Sequence, residues 1–178
     1  MSSRHLVCVT ALCLSTLTLS AATVVMDGAT TATDILGLEY SGTTYNVSFE
    51  RDNFANLNTG TNFPFLGAPL DNAAAEALIL AALNDSPAFF VAPSAGAATG
   101  GFLMPYGTST HVVLGPQVST RIAGYNASAG NWINLATASS TSQSSEQVFA
   151  VFTVVPVPAA AWLFVSALGV LTGLRRRK

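Results

Sequence analysis

The sequence predicts a mostly β (α+β) ectodomain with one Ala-rich helix, set between an N-terminal signal helix and a C-terminal transmembrane helix. Three observations carry this. Apolar residues through the middle of the chain alternate with a period of two, the pattern of half-buried strands. One internal stretch alone, Ala73 to Leu83, strings helix formers between a polar start and a proline stop. Two uncharged apolar runs lie near the two ends, each flanked by basic residues. The chain divides accordingly into a signal peptide over 1–22, a β-rich ectodomain over 23–154 and a tail over 155–178.

At the N-terminal side, Arg4 and His5 precede an apolar run from Leu6 to Leu19, and Ser20 and Ala22 place small residues where signal peptidase needs them. This predicts export by the Sec machinery and a mature start at Thr23. Both cysteines, Cys8 and Cys13, fall in the segment to be removed. The mature chain then has no thiol for a disulfide, a metal site or a nucleophile. Cys13 follows Leu12, a poor match to a lipoprotein signal.

Within the ectodomain, Leu36, Leu38 and Tyr40 alternate with polar or small residues, Ser41-Gly42 offers a turn, and Tyr45, Val47 and Phe49 alternate again, predicting a hairpin. Asn53 to Leu70 reads as loop. Asp71-Asn72 is expected to cap the helix, with Ala74, Leu78, Ala81 and Ala82 sharing a face with Leu70, and Asn84-Asp85-Ser86-Pro87 to stop it. Further strands are expected at Ala88–Ala92, Gly101–Pro105, His111–Leu114, Val118–Tyr125, Trp132–Leu135 and Gln147–Val155. The last is apolar on both faces and should be buried. Ser- and Thr-rich Thr137 to Gln147 reads as a mobile loop.

The tail begins at Val155-Pro156-Val157-Pro158-Ala159. Residues 159–174 carry no charge and as a helix span about 24 Å, short of a hydrocarbon core of roughly 30 Å, a gap that snorkelling and local thinning can close. Arg175, Arg176, Arg177 and Lys178 form a membrane stop that favours the cytoplasmic side. Pro156 and Pro158 suit a helix start and keep the preceding residues extended, so replacing them with alanine should let the helix run back toward Val154. The proline spacing, alanine run, Trp162-Leu163-Phe164 and basic cluster together resemble the PEP-CTERM sorting signals, in the VPxPA variant that has Val157 where the PEP form has glutamate. The order of hairpin, helix and strands also resembles ectodomains found upstream of such tails. The resemblance implies recognition by exosortase, a membrane enzyme of Gram-negative bacteria that make exopolysaccharide. It further implies transient inner-membrane anchoring, then passage to the cell surface or extracellular matrix. A plain single-pass anchor is the competing reading. A GPI signal normally lacks a basic end, and the sortase pentapeptide is absent.

Charge and residue inventory exclude several functions. From Thr23 to Val155 the chain has nine acids against Arg51 and Arg121, a formal charge of −7. With no lysine to displace counterions, no nucleic acid is expected as partner. No catalytic residue, metal ligand or cofactor is assigned. His111 is the single histidine of this segment, Gly-x-Ser-x-Gly is absent, and Asp52, Asn56 and Asn58 lack the glycine and glutamate of a calcium loop, which favours Asx turns. Glu39 and Glu50 lie on opposite hairpin arms and could approach as a glycosidase pair, although solvent-facing carboxylates explain them more simply. Tyr106, Tyr125 and Trp132 serve either as core or as stacking faces for sugar.

The sequence thus points to a non-enzymatic, exported surface or matrix protein, structural or biofilm-associated, with the exosortase, the membrane and exopolysaccharide as partners. A carbohydrate-binding module is the alternative, followed by a secreted hydrolase.

Overall fold

Most strands of the fold follow from alternation and turn chemistry, and the largest element, a helix, departs from them. The computed structural model describes residues 22–92 and 98–156. The signal segment up to 21, with Ser20, and the tail from 157, with Val157, Pro158, Ala159, the apolar run and the membrane stop Arg175 to Lys178, lie outside the described residues. Among the described residues no helix is long and apolar enough to cross a membrane.

Strands β1 (Thr23–Asp27), β2 (Thr31–Tyr40) and β3 (Thr43–Asn53) form an antiparallel meander. The β2–β3 hairpin matches the expected one, and its turn places Ser41 and Gly42 at positive φ, which the unbranched Gly42 adopts without strain. Strand β1 was not foreseen, because five residues show too little alternation. A short helix α1 (Phe54–Leu57) follows, then α2 (Pro69–Asn84), a two-residue β4 (Phe90–Val91) paired parallel to β2, and the long strands β5 (Gly101–His111), β6 (Gly115–Asn126) and β7 (Asn131–Ser142). Finally β8 (Glu146–Val154) inserts between β3 and β5, giving the order β1-β2-β3-β8-β5-β6-β7. The chain is mostly β, as expected.

Strand β8 is antiparallel to β3 along its whole length but meets β5 in parallel at a single register pair, Leu103 with Phe149. Register shifts at Pro105/Gly107 and on either side of Ile122 bend the β5-β6-β7 meander. Its far part consequently folds over β8, where Val118 joins Phe54, Leu57, Phe63, Phe149 and Val151 in a second core. The main core lies on the opposite face, beneath α2, and contains Val47, Phe49, Phe102, Trp132, Ala150 and Phe152. Phe149 to Phe152 are therefore buried on both faces, as their unbroken apolar run predicts.

Four expectations are corrected. His111–Leu114 is not a separate strand: His111 ends β5 and residues 112–114 form the β5–β6 turn, with Val112 wholly exposed. Thr137–Gln147 is mostly β7: the Ser/Thr run is exposed strand, followed by a short turn into β8, since polar β-formers are compatible with a solvated sheet. Part of the Asn53–Leu70 loop is α1, capped when the Asn53 side chain accepts from Asn56 N–H. Helix α2 starts at Pro69, where proline's fixed φ suits the first turn and no N–H is needed, so Asp71 and Asn72 lie inside the helix. It buries Asn72, Ala75, Glu76, Ile79 and Leu83, leaving Leu70 85% exposed. Of the expected face, Leu70, Ala74, Leu78 and Ala81 are exposed on the outer side, and Ala82 alone packs against the main core. Its stop is where the sequence placed it, with Asp85 N–H on Ala81 and Leu83 carbonyls.

Candidate functional site

The chain leaves the ectodomain at one end of the sheet. Val154 pairs with Tyr45, and Val155 N–H donates to the Thr44 carbonyl at 2.9 Å, the last such bond of this strand pair among the described residues. Pro156 has no N–H with which to extend the ladder and is exposed. Of the sequence-assigned sorting residues, Val155 is thus held half-buried against β3 and Pro156 stands free beside it. The helix expected to grow back from the tail in the proline variants would have to displace strand at Val154, two residues along from Phe152, which packs on Phe65 at 5.1 Å and Tyr45 at 5.9 Å. Ala22, at the other assigned cleavage point, packs against the main core just before β1.

Around this exit, Phe65 fills the end of the core between Tyr40, Tyr45 and Phe152. The Tyr40 hydroxyl donates to Asp71 Oδ1 in the first turn of α2 at 2.6 Å. That hydrogen bond, with the negative charge of Asp71, raises the Tyr40 pKa above its ordinary value. The loop before α2 is tied to the sheet on both sides: Asn62 carbonyl accepts from Phe152 N–H, and Tyr106 carbonyl from Gly67 N–H.

A buried polar cluster, not foreseen from sequence, lies under α2. Glu76 is 2% exposed. Arg121 Nε donates to its Oε2, and Asn134 Nδ2 donates to its Oε1. The same helix sends Asn72 Nδ2 to the Pro105 carbonyl at 2.8 Å. At its far end Asn84 grips the Trp132 backbone, accepting from N–H at 2.6 Å and donating to C=O at 3.0 Å. One signal was available: Glu76 is the single charge between Ala73 and Leu83, the apolar stretch from which the helix was expected, in a domain with two cations. Since both carboxylate oxygens are occupied by cross-sheet donors, the arrangement fixes α2 on the sheet and leaves no free base.

The remaining sequence candidates do not converge. His111 is exposed, and its Nδ1 accepts from Val113 and Leu114 N–H, both at 3.2 Å, closing the hairpin turn. Asp52 accepts from Asn53 N–H and from Asn56 Nδ2, a local turn network that leaves Asn58 outside it. Glu39 pairs with Thr44, while Glu50 lies six residues further along β3 opposite Phe149, some 20 Å away at strand rise. They form no catalytic pair. Trp132 is buried, its Nε1 donating to Ala88 carbonyl at 2.7 Å, and Tyr125 packs against it. Outward of these, Phe89 and Phe90 remain 42% and 43% exposed, with Phe89 5.0 Å from the Tyr125 ring. A cleft of about 390 Å³ opens where β5 parts from β8, lined by Arg51, Thr99, Phe102, Ile122, Glu146 and Gln147. On its rim Arg51 pairs with Glu146 at 3.2 Å. Compared with known proteins, the chain matches no family model, no curated protein and no solved structure.

Proposed function

We propose that this chain is an exported surface or matrix protein whose ectodomain is handed, through its C-terminal tail, to an exosortase-type enzyme. The observation that carries the proposal is the junction at Val155. Among the described residues the last hydrogen bond from β8 to β3 is made by the first residue of the Val-Pro-Val-Pro-Ala motif, and an exposed Pro156 follows it directly. A membrane enzyme gripping residues 156–159 would act on an extended strip bounded by a rigid domain on one side and an apolar segment on the other. The ectodomain's role in this reading is structural and non-enzymatic. Its one histidine closes a turn and its one deeply buried carboxylate is committed to Arg121. Intact-mass measurement of the native protein, from cells with and without their exosortase, tests the proposal. A start at Thr23 and an enzyme-dependent end near Pro158 are expected. A chain ending at Lys178 in both strains makes the tail a plain anchor.

A carbohydrate-binding role remains the second reading, because Phe89, Phe90 and Tyr125 gather half-exposed rings at one edge. Retention of the ectodomain on the producing strain's exopolysaccharide, abolished in Phe89→Ala, would favour it.

A further inference from the structure

We infer that the end of the ectodomain from which the chain exits is itself a lipid-contacting surface, seated on the bilayer through Leu70 and the loop before it. The inference rests on the reading of residues 159–174 as a membrane-crossing segment. It begins with reach. Val155 is fixed to the sheet, and the uncharged run starts at Ala159. Four residue steps cover at most about 14 Å even when fully extended. A domain tethered so closely must bring the exit end of its sheet to the headgroup layer.

What this end displays suits that layer. Leu70 is 85% exposed in the first turn of α2, and its neighbour Asp71 is bonded to Tyr40 at the end of β2, placing Leu70 at the same end of the β2–β3 hairpin as Thr44, which holds Val155. Pro64 and Gly67 in the loop before α2, and Pro69 at the helix start, are exposed, and the same loop bonds to β8 at Phe152. Val154, 52% exposed, shares a face with Phe152. A Leu so exposed contributes little to folding, whereas its burial in an acyl layer is favourable by the usual apolar transfer. Tyr40 offers an aromatic body with a polar tip, the side chain enriched at membrane interfaces. Charge does not draw this end to the headgroups. Arg51 lies opposite Val148, six residues up β8 from Val154, and Arg121 is held under α2, so neither cation serves this end, which carries Glu39 and Asp71. The contact is therefore apolar and is not weakened by salt, unlike a polybasic one.

The test uses the full chain with Cys8→Ser and Cys13→Ser, in nanodiscs of phosphatidylethanolamine and phosphatidylglycerol holding one copy each. A nitroxide is attached in turn at Leu70→Cys, Val113→Cys on the exposed β5–β6 turn, and Leu168→Cys in the tail. Accessibility to oxygen against a water-soluble nickel chelate reads depth. Position 168 is expected at bilayer depth and position 70 at the interface, its oxygen-to-nickel ratio raised severalfold over position 113 at low and high salt alike. If 168 is deep while 70 reads like 113, the docking is wrong and the membrane tail stands. If 168 is aqueous, the tail reading fails and takes the docking with it. Protection of position 70 only in discs with two copies, accompanied by spin–spin broadening, would assign this surface to a second chain and overturn the inference.

Discussion

Glu76 is a carboxylate with almost no water around it, and what decides its effect on stability is that both oxygens have donors. Desolvating an ion pair roughly cancels its attraction, but removing one partner strands the other. Arg121→Met should therefore cost about 3–5 kcal/mol, whereas Glu76→Leu combined with Arg121→Met should recover most of that loss. Urea unfolding of the single and double variants checks this; additive losses would contradict it. Tyr40 gives a pH dependence of known sign. Its pKa is raised in the fold by the hydrogen bond to Asp71, so its contribution is complete below the unfolded tyrosine value of about 10 and is lost as pH rises through the folded value. Tyr40→Phe should lower the unfolding midpoint at neutral pH, and the difference from wild type should vanish in strong alkali.

Helix α2 shows where periodicity reaches its limit. Ala, Leu and Ile surround the helix, so two faces look equally apolar, and the stripe with two leucines is the one that faces solvent. The inward face was chosen by Asn72, Glu76 and Asn84, each with a partner on a strand distant in sequence. Leu83→Ala, at a fully buried site, should cost about 2–5 kcal/mol, and Leu78→Ala, on the outer face, well under 1. Thermal unfolding of the pair would expose a reversed helix at once. Strand β8, by contrast, was legible, because a short unbroken apolar run rich in valine and phenylalanine suits a strand covered on both faces. At its end, Pro156→Ala and Pro158→Ala together should still leave the helix unable to pass Val155, because extending it would unzip the Tyr45 and Thr44 pairings. Hydrogen exchange at the Val155 amide, unchanged in the double variant, is the expected readout. Rapid exchange there would show that the tail can pull β8 apart.

The whole molecule depends on a narrow seam. Two antiparallel halves, β1-β2-β3-β8 and β5-β6-β7, meet in the sheet at Leu103 and Phe149, and otherwise through α2 and the two cores. Phe149→Ala should cost about 3–5 kcal/mol, a large share of the 5–15 kcal/mol typical of a domain, and both halves should unfold together. Separate transitions by near-ultraviolet dichroism and by hydrogen exchange would mean that the halves are independent. The sequence by itself determined the β class, the hairpin, the helix stop, the doubly buried last strand and the acidic surface. These follow from local alternation, turn residues and composition, which neighbours along the chain express. Only the tertiary structure decided the helix face, the role of His111, the distance between Glu39 and Glu50, the burial of Trp132 and the pinning of Val155. Each of those depends on a partner far away in the chain, and the register that brings the two together is fixed by packing across the sheet, not by local pattern.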